Sequence, residues 1–182
     1  MGIKIIGLGG SLRENSHTYR AVKQALHLAE ELGATTSLID LRLLKLPFCD
    51  GRENYPDFPD VAALRSEFQS ANAIILATPE YHGSISGVLK NALDLLDISH
   101  VEHKVVAIIG VLGGIPSANA SNELRTICRH LHAWVIPDQV IISHAEKAFD
   151  ANGNLVDSEL MERLQHMMQS LVQTATRLHA KS

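Results

Sequence analysis

The chain has 182 residues, 46% of them hydrophobic, and a net charge of 16 − 20 = −4. That length suits a single domain, residues 1–182, around one sizeable core. Mild acidity without a basic tract or aromatic-basic interleaving argues against a nucleic-acid partner, and the longest apolar run, Val105 to Leu112, is too short to span a bilayer.

The first apolar run, Ile3–Leu8, predicts a strand. A strand starting there leaves no room for a signal peptide, and Ile6 stands where a myristoylation motif wants Ser or Thr. Cys49 and Cys128 lack metal or redox spacing, so reduced thiols of a cytoplasmic protein are expected. After the strand comes Gly9-Gly-Ser-Leu-Arg-Glu-Asn-Ser-His-Thr18, which leads into a helical pattern from Ser16 to Leu32. A helix N-terminus offers free N–H groups and partial positive charge, a place for phosphate. Ser11, Ser16 and Thr18 add hydroxyls, and Arg13 adds a guanidinium able to clamp a phosphate monoester. The same residue types also suit a purely local N-cap cluster. No Walker A motif is present, and Leu12 occupies the place of the third glycine of GxGxxG.

Further strands are predicted over Thr35–Leu41, Ala73–Thr78, Lys104–Val111 and Val140–Ser143. Several are continuous apolar runs, the pattern of parallel strands buried on both faces. Helical spacing marks Val61–Ala71, a segment from Ser86 to Leu96, Ser121–Leu131 and Ser158–Leu178. Leu46–Pro59, with three prolines and a glycine, is expected to be an irregular loop. Alternating strands and helices predict an α/β, doubly wound sheet. With five strands the expected architecture is flavodoxin-like: a three-layer α/β/α domain, parallel order 2-1-3-4-5, with a ligand crevice between strands 1 and 3.

Two more loops should open on that same edge. Thr78-Pro-Glu-Tyr-His-Gly-Ser-Ile-Ser-Gly87 follows strand 3, and Gly113-Gly-Ile-Pro-Ser117 follows strand 4. Pro79 fixes φ, and Gly83 lets backbone approach a flat ligand, while Tyr81 and His82 offer ring-shaped walls. Glu80 suits either a ring contact or the capping of local N–H groups. His130–His132 and His100–His103 lack converging partners for a metal, so structural or solvated roles are expected, and no metal. Trp134 is expected in a core or an interface.

Gly10-Ser-Leu-Arg-x-x-Ser16, Pro79-Glu-Tyr-His-Gly-Ser84 and Gly87-Val-Leu-Lys-Asn-Ala92 together resemble the NADPH-dependent FMN reductase family. That family includes flavin, quinone, chromate and azo-dye reductases of the flavodoxin-like fold. The resemblance implies that Ser11, Arg13, Ser16 and Thr18 hold an FMN phosphate. It implies that Pro79, Glu80, Tyr81, His82, Gly83 and Ser84 flank the ribityl chain and ring, and that Gly113 and Gly114 border the ring. Thr18 and His82 depart from the pattern, since many members carry Asn at both positions. The implied activity passes hydride from NADPH or NADH through FMN to a small-molecule acceptor in a ping-pong order. No protein group is then expected to be catalytic beyond the cofactor, packing being the expected role of Tyr81 and His82. A homodimer or homotetramer is also implied. A flavodoxin-type electron carrier and a flavin-binding regulatory subunit are the competing readings.

Overall fold

The computed structural model describes residues 2–180 of the chain. Five strands run β1 Lys4–Gly9, β2 Thr35–Ile39, β3 Ala73–Pro79, β4 Val105–Val111 and β5 Trp134–Ile142. The helices are α1 His17–Glu31, α2 Pro59–Ser70, α3 Gly87–Asp94, the one-turn α4 Ile98–Val101, α5 Asn119–His130 and α6 Ser158–His179. All pairings are parallel, in the order β2-β1-β3-β4-β5. This is the predicted flavodoxin-like arrangement.

The two-residue period of the strands divides the core. Ile5, Ile75 and Ile109 face α1 and α6, whereas Ile6, Leu76 and Ile108 face the side holding α3 and α5. Helix α1 lies close to the sheet because Gly7 has no side chain. A Cβ there would sit 2.5 Å from Val22 Cγ1 and 2.9 Å from Leu26 Cδ1. Every residue of β3 and β4 is buried, matching their unbroken apolar runs.

Strand β5 departs from its predicted Val140–Ser143 and begins six residues earlier, at Trp134. Pro137 masked the strand, because proline gives no N–H to a ladder. At the edge of the sheet it is accommodated by a register shift, in which Val106 pairs with Val135 but Ile108 pairs with Gln139. The carbonyls freed by this bulge are taken by Arg125 of α5, which donates to Ile136 O and Pro137 O, each at 2.9 Å. Trp134, expected in a core or interface, is 59% exposed in the chain. Leu32 and Leu178, the last residues of two predicted helices, are also exposed, Leu32 as the C-cap of α1 and Leu178 in the last turn of α6. Among the described residues, no helix is long and apolar enough to cross a membrane.

Candidate functional site

Parallel strands deliver their following loops to a single edge of the sheet. At this edge the loops after β1, β3, β4 and β5 border a crevice of ≈ 170 Å³. The first loop brings Ser11, Arg13 and Thr18 to it, the second Pro79, Glu80 and Tyr81, and the third Gly113. Ser16, His82, Gly83, Ser84 and Gly114, expected with them, are not among the residues lining this crevice.

Four of these five have a local reason. Ser16 is the N-cap of α1, its Oγ accepting from Tyr19 N–H at 3.2 Å. His82 and Gly83 are the central pair of a two-residue hairpin turn, with φ of 55° and 78°. Tyr81 N–H donates to Ser84 O at 3.0 Å, and Ser84 N–H returns a bond to Tyr81 O at 3.1 Å. Two consecutive positive φ angles define a type I′ turn, whose preferred sequence is Asn-Gly. His82 therefore stands where such a turn favours asparagine. The Ser84 hydroxyl is turned away to Glu123 Oε2 at 2.6 Å, and the same carboxylate oxygen accepts from Ile85 N–H. Glu80 lines the crevice and also caps, its Oε2 accepting from Ala120 N–H at 3.1 Å in the first turn of α5. Two carboxylates thus tie the β3–α3 loop to α5.

The phosphate-loop residues are compatible with an anionic ligand. Ser11 and Thr18 are buried polar side chains, 4% and 2% exposed. With Tyr19 N–H taken by Ser16 Oγ, the N–H groups of His17 and Thr18 are the first-turn donors of α1 left free by helix geometry, and the Arg13 side chain is exposed at the rim. At Gly113 and Gly114 an added Cβ would meet nothing within 4 Å, so backbone there faces open space. This donor set, beside the exposed Tyr81 ring, fits a phosphate ester carrying a ring.

Six crevice residues were missed in the sequence. Asn15 and His17 sit inside the motif itself, Val111 and Leu112 stand at the end of β4, and Ala145 and Glu146 follow β5. The available signal was the edge rule, since the loop after strand 5 must open beside the others. The His17 ring stacks on Phe149, with centroids 5.8 Å apart and planes 9° from parallel. Its pKa is lowered by burial, then by Arg20 and Arg13, against an opposing pull from Glu146. Three other histidines serve the backbone. His100 Nδ1 accepts from Asp97 N–H at 3.0 Å, and His103 and His132 occupy positive-φ positions linked by one backbone bond. Among the described residues no three potential metal-ligating side chains gather.

Behind the loop, Arg42 packs its guanidinium 4.2 Å from the centre of the Tyr19 ring. It pairs with Asp40, holding that carboxyl down at about 2. Tyr19 OH donates to Ile39 O at 3.1 Å and accepts from Leu41 N–H at 2.7 Å. Burial raises its pKa above the ordinary tyrosine range.

Residues 3–147 match the family described as NADPH-dependent FMN reductase. The chain belongs to this family. Family relatives include an NAD(P)H-dependent FMN reductase of Pseudomonas aeruginosa, 34% identical over 175 residues and covering 93% of both chains. The FMN-dependent NADPH-azoreductase of Staphylococcus aureus is 31% identical over 169 residues, 90% of each chain. Among solved structures, the flavoenzyme NAD(P)H:(acceptor) oxidoreductase FerB of Paracoccus denitrificans superposes with a TM-score of 0.83. It is 25% identical and covers 96% of this chain and 98% of its own. An archaeal flavodoxin, 12% identical with a TM-score of 0.68 over 96% of this chain and 99% of its own, shares the fold alone.

Proposed function

We propose that the whole chain is one FMN-binding domain that reduces a small acceptor with NADPH or NADH. The observation that carries this reading is the convergence of the β1, β3 and β4 loops on one crevice with buried hydroxyls at its base. Ser11, Thr18, Arg13 and the first-turn N–H groups of α1 hold the phosphate. Pro79, Glu80, Tyr81, His82, Gly83 and Ser84 form the wall for the ribityl chain and ring, with Gly113 and Gly114 opposite. Within that wall Tyr81 supplies a ring surface. Glu80, His82, Gly83 and Ser84 set the backbone course, and Ser16 sets the start of α1.

FMN, when bound, supplies the hydride chemistry. The residues named above would hold and orient it, with nucleotide and acceptor binding in turn, a ping-pong order. No side chain is assigned as a general acid. The acceptor is a quinone, flavin, azo dye or metal oxyanion, and the working unit is a homodimer or homotetramer in the cytoplasm.

Flavin titration of the full-length chain tests the cofactor. FMN should bind more tightly than riboflavin or FAD, because the loop suits a terminal monoester; equal or tighter riboflavin binding refutes the reading. Steady-state NADPH oxidation over a panel of quinone, azo dye and chromate tests the activity. Stable FMN loading with no nucleotide turnover would point to the electron-carrier reading instead.

A further inference from the structure

We infer that Arg42, outside the crevice, is a positioning residue that aims the N–H groups of Glu14 and Asn15 at the ligand's phosphate. This rests on the phosphate-loop reading above and deepens it. Arg42 Nη1 donates to Glu14 O at 2.9 Å and to Arg13 O at 3.4 Å. These two carbonyls belong to the peptide units Arg13–Glu14 and Glu14–Asn15. In a planar trans peptide the N–H points opposite to the C=O. Drawing both carbonyls toward Arg42 therefore turns the N–H groups of Glu14 and Asn15 away from it. Arg13 and Asn15 line the crevice and Arg42 does not. Neither N–H finds a protein acceptor among the described residues. Two adjacent outward N–H groups of this kind make an anion-binding concavity.

The guanidinium is itself held by the Asp40 carboxylate and the Tyr19 ring. Its Nε donates to Asp40 Oδ1 at 2.8 Å, and Arg42 N–H donates to the same oxygen at 3.0 Å. Its plane is backed by the Tyr19 ring. Tyr19 is locked to the end of β2 through Ile39 O and Leu41 N–H, and to the helix start through Ser16 Oγ. The direction of the loop amides is thereby tied to the end of β2. A lysine cannot replace this fork, because an ammonium is a point charge without the planar geometry that reaches the carboxylate and both carbonyls together.

The test compares FMN and riboflavin affinities of the full-length wild type, Arg42→Lys and Arg42→Ala by quenching of flavin fluorescence. The ratio of the two dissociation constants isolates the phosphate. Both variants should lower that ratio by roughly tenfold, the scale of one charge-assisted hydrogen bond, while riboflavin affinity stays within about twofold. An Arg42→Lys ratio equal to wild type would mean that Arg42 acts through charge alone, overturning the inference and leaving FMN binding intact. A wild-type ratio near one would overturn the FMN reading and the inference with it. In wild type, the amide protons of Glu14 and Asn15 should shift strongly downfield with FMN and little with riboflavin. Amides that do not respond would overturn the inference even if both variants failed to fold.

Discussion

Arg13 is the exposed cation at the crevice rim, and its removal should be felt by the phosphate. Arg13→Ala is expected to weaken FMN binding by about 1.5–3 kcal/mol, the range for a hydrogen bond to a charged group, and to leave riboflavin binding nearly unchanged. Similar losses for both ligands would make it a structural residue. His82 carries a different expectation, because its φ of 55° is a demand of the turn. His82→Asn should retain flavin loading, turnover and melting temperature. His82→Val should destabilise the apo protein by on the order of 1–2 kcal/mol, since a β-branched residue resists the left-handed region. Loss of turnover in the asparagine variant would instead assign the imidazole a chemical task. His17 gives the molecule a pH dependence. Its folded pKa lies below the 6.5 of the free side chain, so the unfolded chain takes up the proton first. The stability linked to this group is complete above pH 6.5 and is lost as pH falls through the lowered value. Thermal melts of the apo protein from about pH 8 to 5 should therefore slope less in His17→Phe than in wild type. Parallel slopes would show that another group carries the effect.

At the scale of elements, α5 acts as a clasp for the β3–α3 loop. Glu123 accepts from Ser84 Oγ and Ile85 N–H, and Glu80 reaches back to the first turn of α5. Glu123→Ala should loosen the loop that forms the ring wall. FMN and riboflavin affinities should then fall in the same proportion, unlike the phosphate-selective loss at Arg13. A selective loss of FMN affinity would mean that the loop reaches the phosphate. The same elements show where sequence was informative. β3 and β4 were legible because both their faces are buried and the apolar run is continuous. The loop after β1 was legible because hydroxyls, Arg13 and a helix start coincide within ten residues. Only the second half of β5, from Val140, was legible; the first half was not, because its edge position removes the two-sided burial and Pro137 breaks the local pattern. The roles of Ser84, Glu80 and Arg42 were not, because their partners are 39, 40 and 28–29 residues away. No local pattern encodes such pairings.

For the whole molecule, the two cysteines report on different states. Cys49 is exposed in the loop after β2. Cys128 is buried in the layer of α3 and α5, and burial pushes its thiol up to about 12. A disulfide reagent should modify Cys49 quickly and Cys128 only through global opening. Equal rates would show that α5 detaches locally. Chelators should leave turnover intact, since no cluster of ligand-type side chains occurs among the described residues; Zn²⁺ rescue of a chelated sample would contradict this. The open sheet also has an outer rim at β5, where a foreign strand could add on and seed aggregation. There Pro137 offers no amide proton, the bulge breaks the even spacing of the ladder, and Arg125 has already claimed two carbonyls. The irregularity that hid the first half of this strand in the sequence thus makes the rim a poor template for edge-to-edge assembly.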